Sequence, residues 1–362
     1  MKRPAAWLVI ALTTLSATAY AHEPDGPAAR LADAVSDWTG TLDETQRKAA
    51  LFPLASSGRT TWDFLPDADI DRPGLSLADM TDGQRSGVDR VLLQILSVSG
   101  FEQAAAVRAL EEVLAETEPP QRRFNKAGEI RRDPLLYRVA VFGDPGPHAT
   151  WSWRFEGHHL SINATVVDGR LRSVTPSFFG SNPSVVGDDG PARGGRPAGF
   201  ELLADERAIA VALVESFDDG QRSQAVMNAR VPKDILSRRD DFVSGELYTR
   251  GGLGYAGMGP TQRRLLLQLV DTFRKKYRPD VRARVDADGS PSDRGSLRFV
   301  WIGGMSRGEQ HYFSVTHSDF VVEYACVQDA NHVHAVWRDF DGDFAADVLG
   351  RHLRDELSAV GP

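Results

Sequence analysis

The feature that most constrains this chain is a repeat inside it. Gly74-Leu75, Met80 and Gln84-Arg85 return as Gly252-Leu253, Met258 and Gln262-Arg263, every pair separated by the same interval with no gap. Upstream, Gln46-Arg47 returns as Gln221-Arg222 at nearly the same interval. Downstream, Arg138-Val139-Ala140-Val141-Phe142-Gly143 is answered by Arg298-Phe299-Val300-Trp301-Ile302-Gly303 at a somewhat shorter one. Matches that recur in the same order predict two copies of one supersecondary unit. The expected halves run from about 28 to 180 and from about 203 to 343. Between them lies a linker of about 181–202, and a C-terminal helix is expected over about 344–360.

Hydrophobic spacing says what each half is made of. Gln84 to Ser97 carries Val88, Val91, Leu92, Ile95 and Leu96 at spacings of three and four, which predicts an amphipathic helix. Phe101 to Glu116 repeats the pattern with Ala105, Leu110, Val113 and Leu114, and Arg263 to Phe273 is the matching helix of the second half. Thr81-Asp82 supplies a cap, and Pro260-Thr261 a helix-opening proline. Tyr137–Phe142, Trp151–Phe155, Leu160–Val167, Leu297–Ile302, Tyr312–Val315 and Phe320–Val327 are aromatic and β-branched runs bounded by Gly, Pro and Asp, and read as strands. Helices and strands come in blocks, so the expected class is α+β. The specific expectation is two internally duplicated helix-helix-antiparallel-strand halves related by a pseudo-twofold. The four Gln-Arg pairs read as helix-start or inter-helix contacts. Trp62, Trp151, Trp153, Trp301 and Trp337 read as packing. Gly180 to Gly199, rich in Gly, Pro, Asp and Ser, reads as the linker, with a lid as the other reading.

The first residues look like an export signal. A basic Met1-Lys2-Arg3 is followed by an apolar run to Ala19, and Ala19-Tyr20-Ala21 ends it in a cleavage pattern. Residues 1–21 are therefore expected to be removed, leaving 22–362 as a single duplicated unit in the periplasm or outside the cell. No other run is long and apolar enough to span a bilayer. The net charge is −8, or −10 without Lys2 and Arg3. An acidic chain with no basic cluster is not a nucleic-acid binder. The single Cys326 excludes an internal disulfide. It lies in an apolar strand and reads as a buried, inert thiol. The oligomeric state is not legible.

Chemistry concentrates in two runs, Glu156-Gly157-His158-His159-Leu160-Ser161-Ile162-Asn163 and Asn331-His332-Val333-His334-Ala335-Val336-Trp337-Arg338-Asp339. Alternate residues of a strand face opposite ways. That puts His159, Ser161 and Asn163 on one face and His158 with the apolar set. Glu323 lies opposite Phe320, Val322, Tyr324 and Cys326. His332, His334, Val336 and Arg338 share a face. Imidazoles at i and i+2 with a carboxylate suit zinc or a similar transition metal. The candidate ligands are His159, Glu323, His332 and His334. Arg338 would stabilise an anion or a transition state, and Asp339 would orient a ligand. Three readings stand: a metal-dependent hydrolase acting on a small molecule, a non-catalytic protein that binds a small molecule or metal, and a structural polar network. No H-E-x-x-H, G-x-S-x-G, Walker A or dinucleotide fingerprint occurs. Asp339-Phe340-Asp341-Gly342-Asp343 lacks the closing Glu of a calcium loop and reads as an Asp-capped turn. Cleavage after Ala21 would also expose His22, whose terminal amine and imidazole form a second way of holding copper.

These residues carry a resemblance. Gly74-Leu75 to Gln84-Arg85, Glu156-Gly157-His158-His159-Leu160-Ser161, Phe178-Phe179-Gly180 with Asn182-Pro183, and Asn331-His332-Val333-His334 through Trp337-Arg338-Asp339 resemble the "domain of unknown function 3500" family. The likeness extends over nearly the whole mature chain. It implies one continuous unit, draws attention to the same histidines and brings no mechanism. One departure is Ala345-Ala346, where the resemblance implies a glycine.

Overall fold

The computed structural model describes residues 26–187, 196–237, 251–289, 294–346 and 348–349. The expected signal peptide, His22, the middle of the expected linker and most of the expected C-terminal helix lie outside them. Among the described residues the protein is mixed α and β, with nine α-helices and one large mixed sheet.

The strands are β1 (Leu51–Phe52), β2 (Leu75–Ser76), β3 (Tyr137–Phe142), β4 (Trp151–Gly157), β5 (Leu160–Val167), β6 (Arg170–Ser173) and β7 (Ser177–Ser181). They continue with β8 (Leu253–Gly254), β9 (Arg298–Gly303), β10 (His311–Thr316), β11 (Phe320–Val327) and β12 (His332–Asp339). Their order across the sheet is β1-β3-β4-β5-β7-β12-β11-β10-β9-β8, with β2 beside β3 and β6 beside β5. Pairing is antiparallel except where β1 runs parallel to β3. The expected antiparallel sheet is therefore mixed. Three expected strands, β3, β5 and β11, have the anticipated bounds. β7 is a strand that periodicity did not announce, because Ser177-Phe178-Phe179-Gly180-Ser181 is short and mixes polar and glycine positions with its aromatics. It is also the strand that pairs with β12 and makes the sheet continuous.

The helices are α1 (Pro27–Gly40), α2 (Glu44–Ala50), α3 (Asp82–Ile95), α4 (Val98–Thr117) and α5 (Pro120–Arg123), then α6 (Ala204–Glu215), α7 (Asp219–Ala225), α8 (Pro260–Arg274) and α9 (Pro279–Gly289). Each Gln of the Gln-Arg pairs accepts from the backbone N–H of its helix's N-cap residue, Gln46 from Asp43, Gln84 from Thr81, Gln221 from Asp218 and Gln262 from Gly259. The first three complete capping boxes, which the side-chain-free Gly259 cannot. The glutamines also pair across helices. Gln46 and Gln84 exchange bonds of 3.0 and 2.8 Å, and Gln221 and Gln262 bonds of 2.9 and 2.8 Å. Gly74 and Gly252 both have positive φ, at 124° and 92°. In each case a Cβ would come 2.8 Å from a backbone oxygen, of Val139 and Phe299 respectively. Only glycine allows β2 and β8 to approach so closely. The Gln-Arg contacts thus stand where the sequence placed them, and those glycines explain why the motif begins with Gly-Leu.

The sheet has two unlike faces. Trp151, Trp153, Phe155, Leu160, Ile162, Tyr324, Val333 and Ala335 look toward the helices and belong to one continuous apolar core with Val91, Leu110, Leu213 and Leu269. The opposite face carries Ser152, Arg154, Glu156, Ser161, Asn163, Glu323, His334 and Arg338, and all of these are buried too. Loops cover it. Trp62 and Phe64 on one loop and Ile235 on another join Phe178, Ala325 and Val336 in a second core. Arg154 holds the first loop by donating to the carbonyls of Gly58, Arg59 and Thr61, and its Nε donates to Asn163. A polar alternation that would ordinarily mean a wet face is here a buried one, satisfied by hydrogen bonds except at the histidines. All five tryptophans named above are buried, and Cys326 is buried as expected, its thiol pushed up to about 11 by burial.

Candidate metal centre

The site begins at the turn between β4 and β5. Gly157 pairs with Leu160, so only His158 and His159 remain to reverse the chain. His159 takes φ 63°, a left-handed conformation that costs a side-chain-bearing residue energy. Its backbone is held on both sides. The N–H donates to the Phe64 carbonyl at 3.0 Å, and the carbonyl accepts from Gly180 N at 2.7 Å. The ring lies against Gly180, where a Cβ would come 3.0 Å from both the Cβ and the Cδ2 of His159. Tyr137 Oη donates to the His158 carbonyl at 2.7 Å, and Gly157 gives the Tyr137 ring its room. The turn sends its two imidazoles to different neighbours. His158 meets Glu111 of α4, while His159 meets β12.

His332 and His334 lie two residues apart on one face of β12, in register with Val327 and Ala325 of β11. His332 Nε2 is 2.8 Å from His159 Nε2. Ring centroids are 4.7 Å apart for His332 and His334 and 5.2 Å apart for His159 and His334. Each of the three buried residues offers a ring nitrogen, and those nitrogens fall within 4.8 Å of one another. His334 Nδ1 is 2.6 Å from Asp234 Oδ1. An ionised carboxylate only accepts, so Nδ1 carries a proton, and in the neutral tautomer the lone pair sits on Nε2. That Nε2 is buried without a hydrogen-bond partner, and so is His332 Nδ1. Phe64 and Phe178 set their rings against His334, at 4.9 and 5.3 Å.

The electrostatics keep His159 and His332 neutral. Burial, then the charges of the neighbouring His158, His332 and His334, push His159 well below its ordinary value. Burial and then His334 push His332 down to about 3. Burial opposes ionisation of Asp234, but the bonds from His334 and from Ile235 N outweigh it and its carboxyl is lowered. Two neutral imidazoles, beside a third whose orientation a carboxylate fixes, resemble the usual donor set of a histidine metal site.

A second group, Glu111, His158 and His159, also brings its ligand atoms within 4.8 Å. It is the poorer home for a cation, because one is already there. Arg132 Nη1 lies 3.1 Å from His158 Nδ1 and 3.9 Å from Glu111 Oε2, and Glu118 holds the same guanidinium through two bonds. Burial raises Glu111 well above the carboxylate range and lowers His158 well below its own, so the two share a hydrogen bond without full charges.

Of the residues singled out from sequence, His159, His332 and His334 come together. Glu323 is not beside them. Its Oε2 accepts from Leu236 N at 2.6 Å and from Tyr312 Oη at 2.7 Å, and its Oε1 accepts from Ser237 N at 3.0 Å. The strand that carries it places it two pairs beyond His334, opposite Val336. Arg338, four residues along β12 and so roughly 13 Å from His334, is engaged by Asp343 and the Ser237 carbonyl. Asp339 ends the strand at a turn that Asp343 caps through Asp339 N at 2.9 Å. Neither adjoins the imidazoles. His159 sits in a turn rather than on a strand face with Ser161 and Asn163. Sequence reasoning missed Asp234, which lies in a loop without a pattern. Glu111 was findable: it is a charge on the buried stripe of α4, between Val107 and Leu114.

Over residues 25–346 the chain matches the family described as "Protein of unknown function (DUF3500)", and it belongs to that family. No curated protein and no solved structure matches it.

Proposed function

We propose that this member of a family of unknown function binds one transition-metal ion, such as zinc, through His159, His332 and His334. The observation that supports the reading is the His334 Nε2, buried without a hydrogen-bond partner and set by Asp234 beside the neutral imidazoles of His159 and His332. With metal–nitrogen bonds of about 2.0–2.1 Å, tetrahedral ligands stand about 3.3 Å apart. The 2.8 Å contact between His159 and His332 would then open by a few tenths of an ångström. Three histidines leave a fourth position for water, the arrangement that hydrolytic zinc uses. The finer proposal is a metal-dependent hydrolase acting on a small molecule. Its alternative is a non-catalytic metal- or ligand-binding protein. The 2.8 Å imidazole pair favours a second reading, a metal-free hydrogen-bonded network between strands.

Two further expectations belong to this proposal. The first is export by a cleaved segment 1–21 to the periplasm or beyond, supported by Lys2-Arg3 and Ala19-Tyr20-Ala21. The second is descent of halves 28–180 and 203–343 from one duplicated unit. The paired glutamines and the two matching glycine approaches support it.

Elemental mass spectrometry on untagged protein tests the metal, beside a His332→Ala/His334→Ala double variant. About one equivalent of metal per chain in the parent, lost in a folded variant, is the expected result. A parent that takes up neither zinc nor copper sinks the metal reading and leaves the structural network.

A further inference from the structure

This inference rests on the metal reading of the three-imidazole cluster and deepens it. We infer that Glu323 is a positioning residue for that site, acting from the neighbouring strand on segment 234–237 and through Asp234 on His334.

The contacts form a continuous chain. Glu323, fully buried on β11, accepts from two successive backbone N–H groups, Leu236 at 2.6 Å and Ser237 at 3.0 Å. Tyr312 Oη donates to the same carboxylate at 2.7 Å. Arg338 Nη1 donates to the carbonyl of Ser237 at 2.7 Å, while its guanidinium lies 5.3 Å over the Trp62 ring. Ile235 fills the second core beneath. The backbone next to Asp234 is thereby held by one anion, one cation and one apolar anchor. Bonds to ionised groups are stronger than neutral ones, so this segment is held firmly for a loop.

Asp234 inherits that order. Its Oδ1 accepts from Ile235 N at 2.7 Å as well as from His334 Nδ1 at 2.6 Å. Its own side chain is 30% exposed, so the backbone and these bonds, more than packing, place it. The imidazole needs the guidance. Phe64 and Phe178 confine the His334 ring, yet apolar walls do not distinguish it from the same ring flipped over. The Asp234 bond does, and the flipped ring would withdraw the bare Nε2 from the cluster. Ligand-orienting groups of this kind are commonly worth 10–100-fold in metal affinity.

The test is a Co²⁺ titration of the full-length protein, followed by ligand-field absorption, with affinity set by competition against a chromophoric chelator. Glu323→Gln, Asp234→Asn and the double variant are compared with the parent, and melting temperature is recorded for each. The expected result is a roughly 10–100-fold loss of affinity in Glu323→Gln with the altered spectrum of Asp234→Asn. The double variant should be little worse than Asp234→Asn alone, because both act through one bond. Should Glu323→Gln fail to fold, Tyr312→Phe removes a single bond to the same carboxylate and should shift affinity in the same direction by less. A variant that melts earlier but binds Co²⁺ with parental affinity and spectrum overturns the inference, as do penalties that simply multiply. A parent that takes up no Co²⁺ overturns the metal reading itself. In that event the ¹⁵N shifts of the His334 ring still decide on positioning: they should change in Glu323→Gln, and unchanged shifts overturn it.

Discussion

Gly180 shows how much one missing methyl decides. It stands in β7 opposite His334, and the His159 ring occupies the space a Cβ would take. Gly180→Ala should displace that ring and destabilise the fold by about 1–3 kcal/mol, the usual cost of overpacking. Urea midpoints measure the stability, and Co²⁺ affinity should fall with it; an alanine variant with parental stability would mean that the ring moves freely. Acid bears on the same histidines. In the unfolded chain their rings titrate near about 6.5, whereas in the fold His332 is pushed down to about 3 and His158 and His159 well below their ordinary values. Between those values the unfolded state binds more protons, so stability is complete above about pH 6.5 and declines as pH falls below it. Urea titrations of metal-free protein at pH 7.5, 6 and 5 should show that decline, with a shallower slope in His159→Gln. Glu111, raised well above its ordinary value, contributes the opposite slope, so the variant comparison decides: equal slopes in the parent and His159→Gln would contradict the burial of the His159 ring. Strain is local as well. Ala345, one of the two alanines at which the family resemblance implies a glycine, takes φ 55°, the region in which glycine alone is unstrained.

At the scale of elements, the paired glutamines join helix starts that are distant in sequence. Gln84 Oε1 accepts from Thr81 N, and its Nε2 donates to the Thr41 carbonyl and to Gln46. Gln84→Ala removes a cap and leaves these groups facing one another with no partner from this residue. The expected cost is about 1–3 kcal/mol, by analogy with lost caps and unsatisfied buried groups. Gln262→Ala should cost a similar amount, since Gln262 bonds Gly259 N, the Ser216 carbonyl and Gln221. Two unequal penalties, one near zero, would show that the two motifs are not energetic equivalents. Helices α3, α4 and α8 and strands β3, β4, β5, β9, β10 and β11 were legible because their periods are local properties of the sequence. β7 was not, since its place comes from pairing with β12 and β5 rather than from its own composition.

At the scale of the molecule, β7 and β12 carry the sheet across both parts of the chain, and one apolar core contains Val91 and Leu110 together with Leu269 and Phe313. Calorimetry should therefore show a single cooperative transition; two resolved transitions would mean that the parts unfold independently despite the shared sheet. A bound metal should raise that transition by mass action, about 2.7 kcal/mol of stabilisation at a hundredfold excess over the dissociation constant.

By itself the sequence determined the α+β class, the existence of the main helices and strands, the role of the Gln-Arg pairs and the histidines from which the cluster is drawn. Each is written in short-range spacing or in side-chain chemistry. Only the tertiary structure decided which carboxylate stands beside them. Glu323 has the right residue type on the right face, yet its strand position carries it to the loop at 236–237, while Asp234 arrives from that loop to bond His334. The tertiary structure also decided that the polar face of the sheet is buried. Alternation says which side a residue faces, but what covers that side is set by loops far away in the chain.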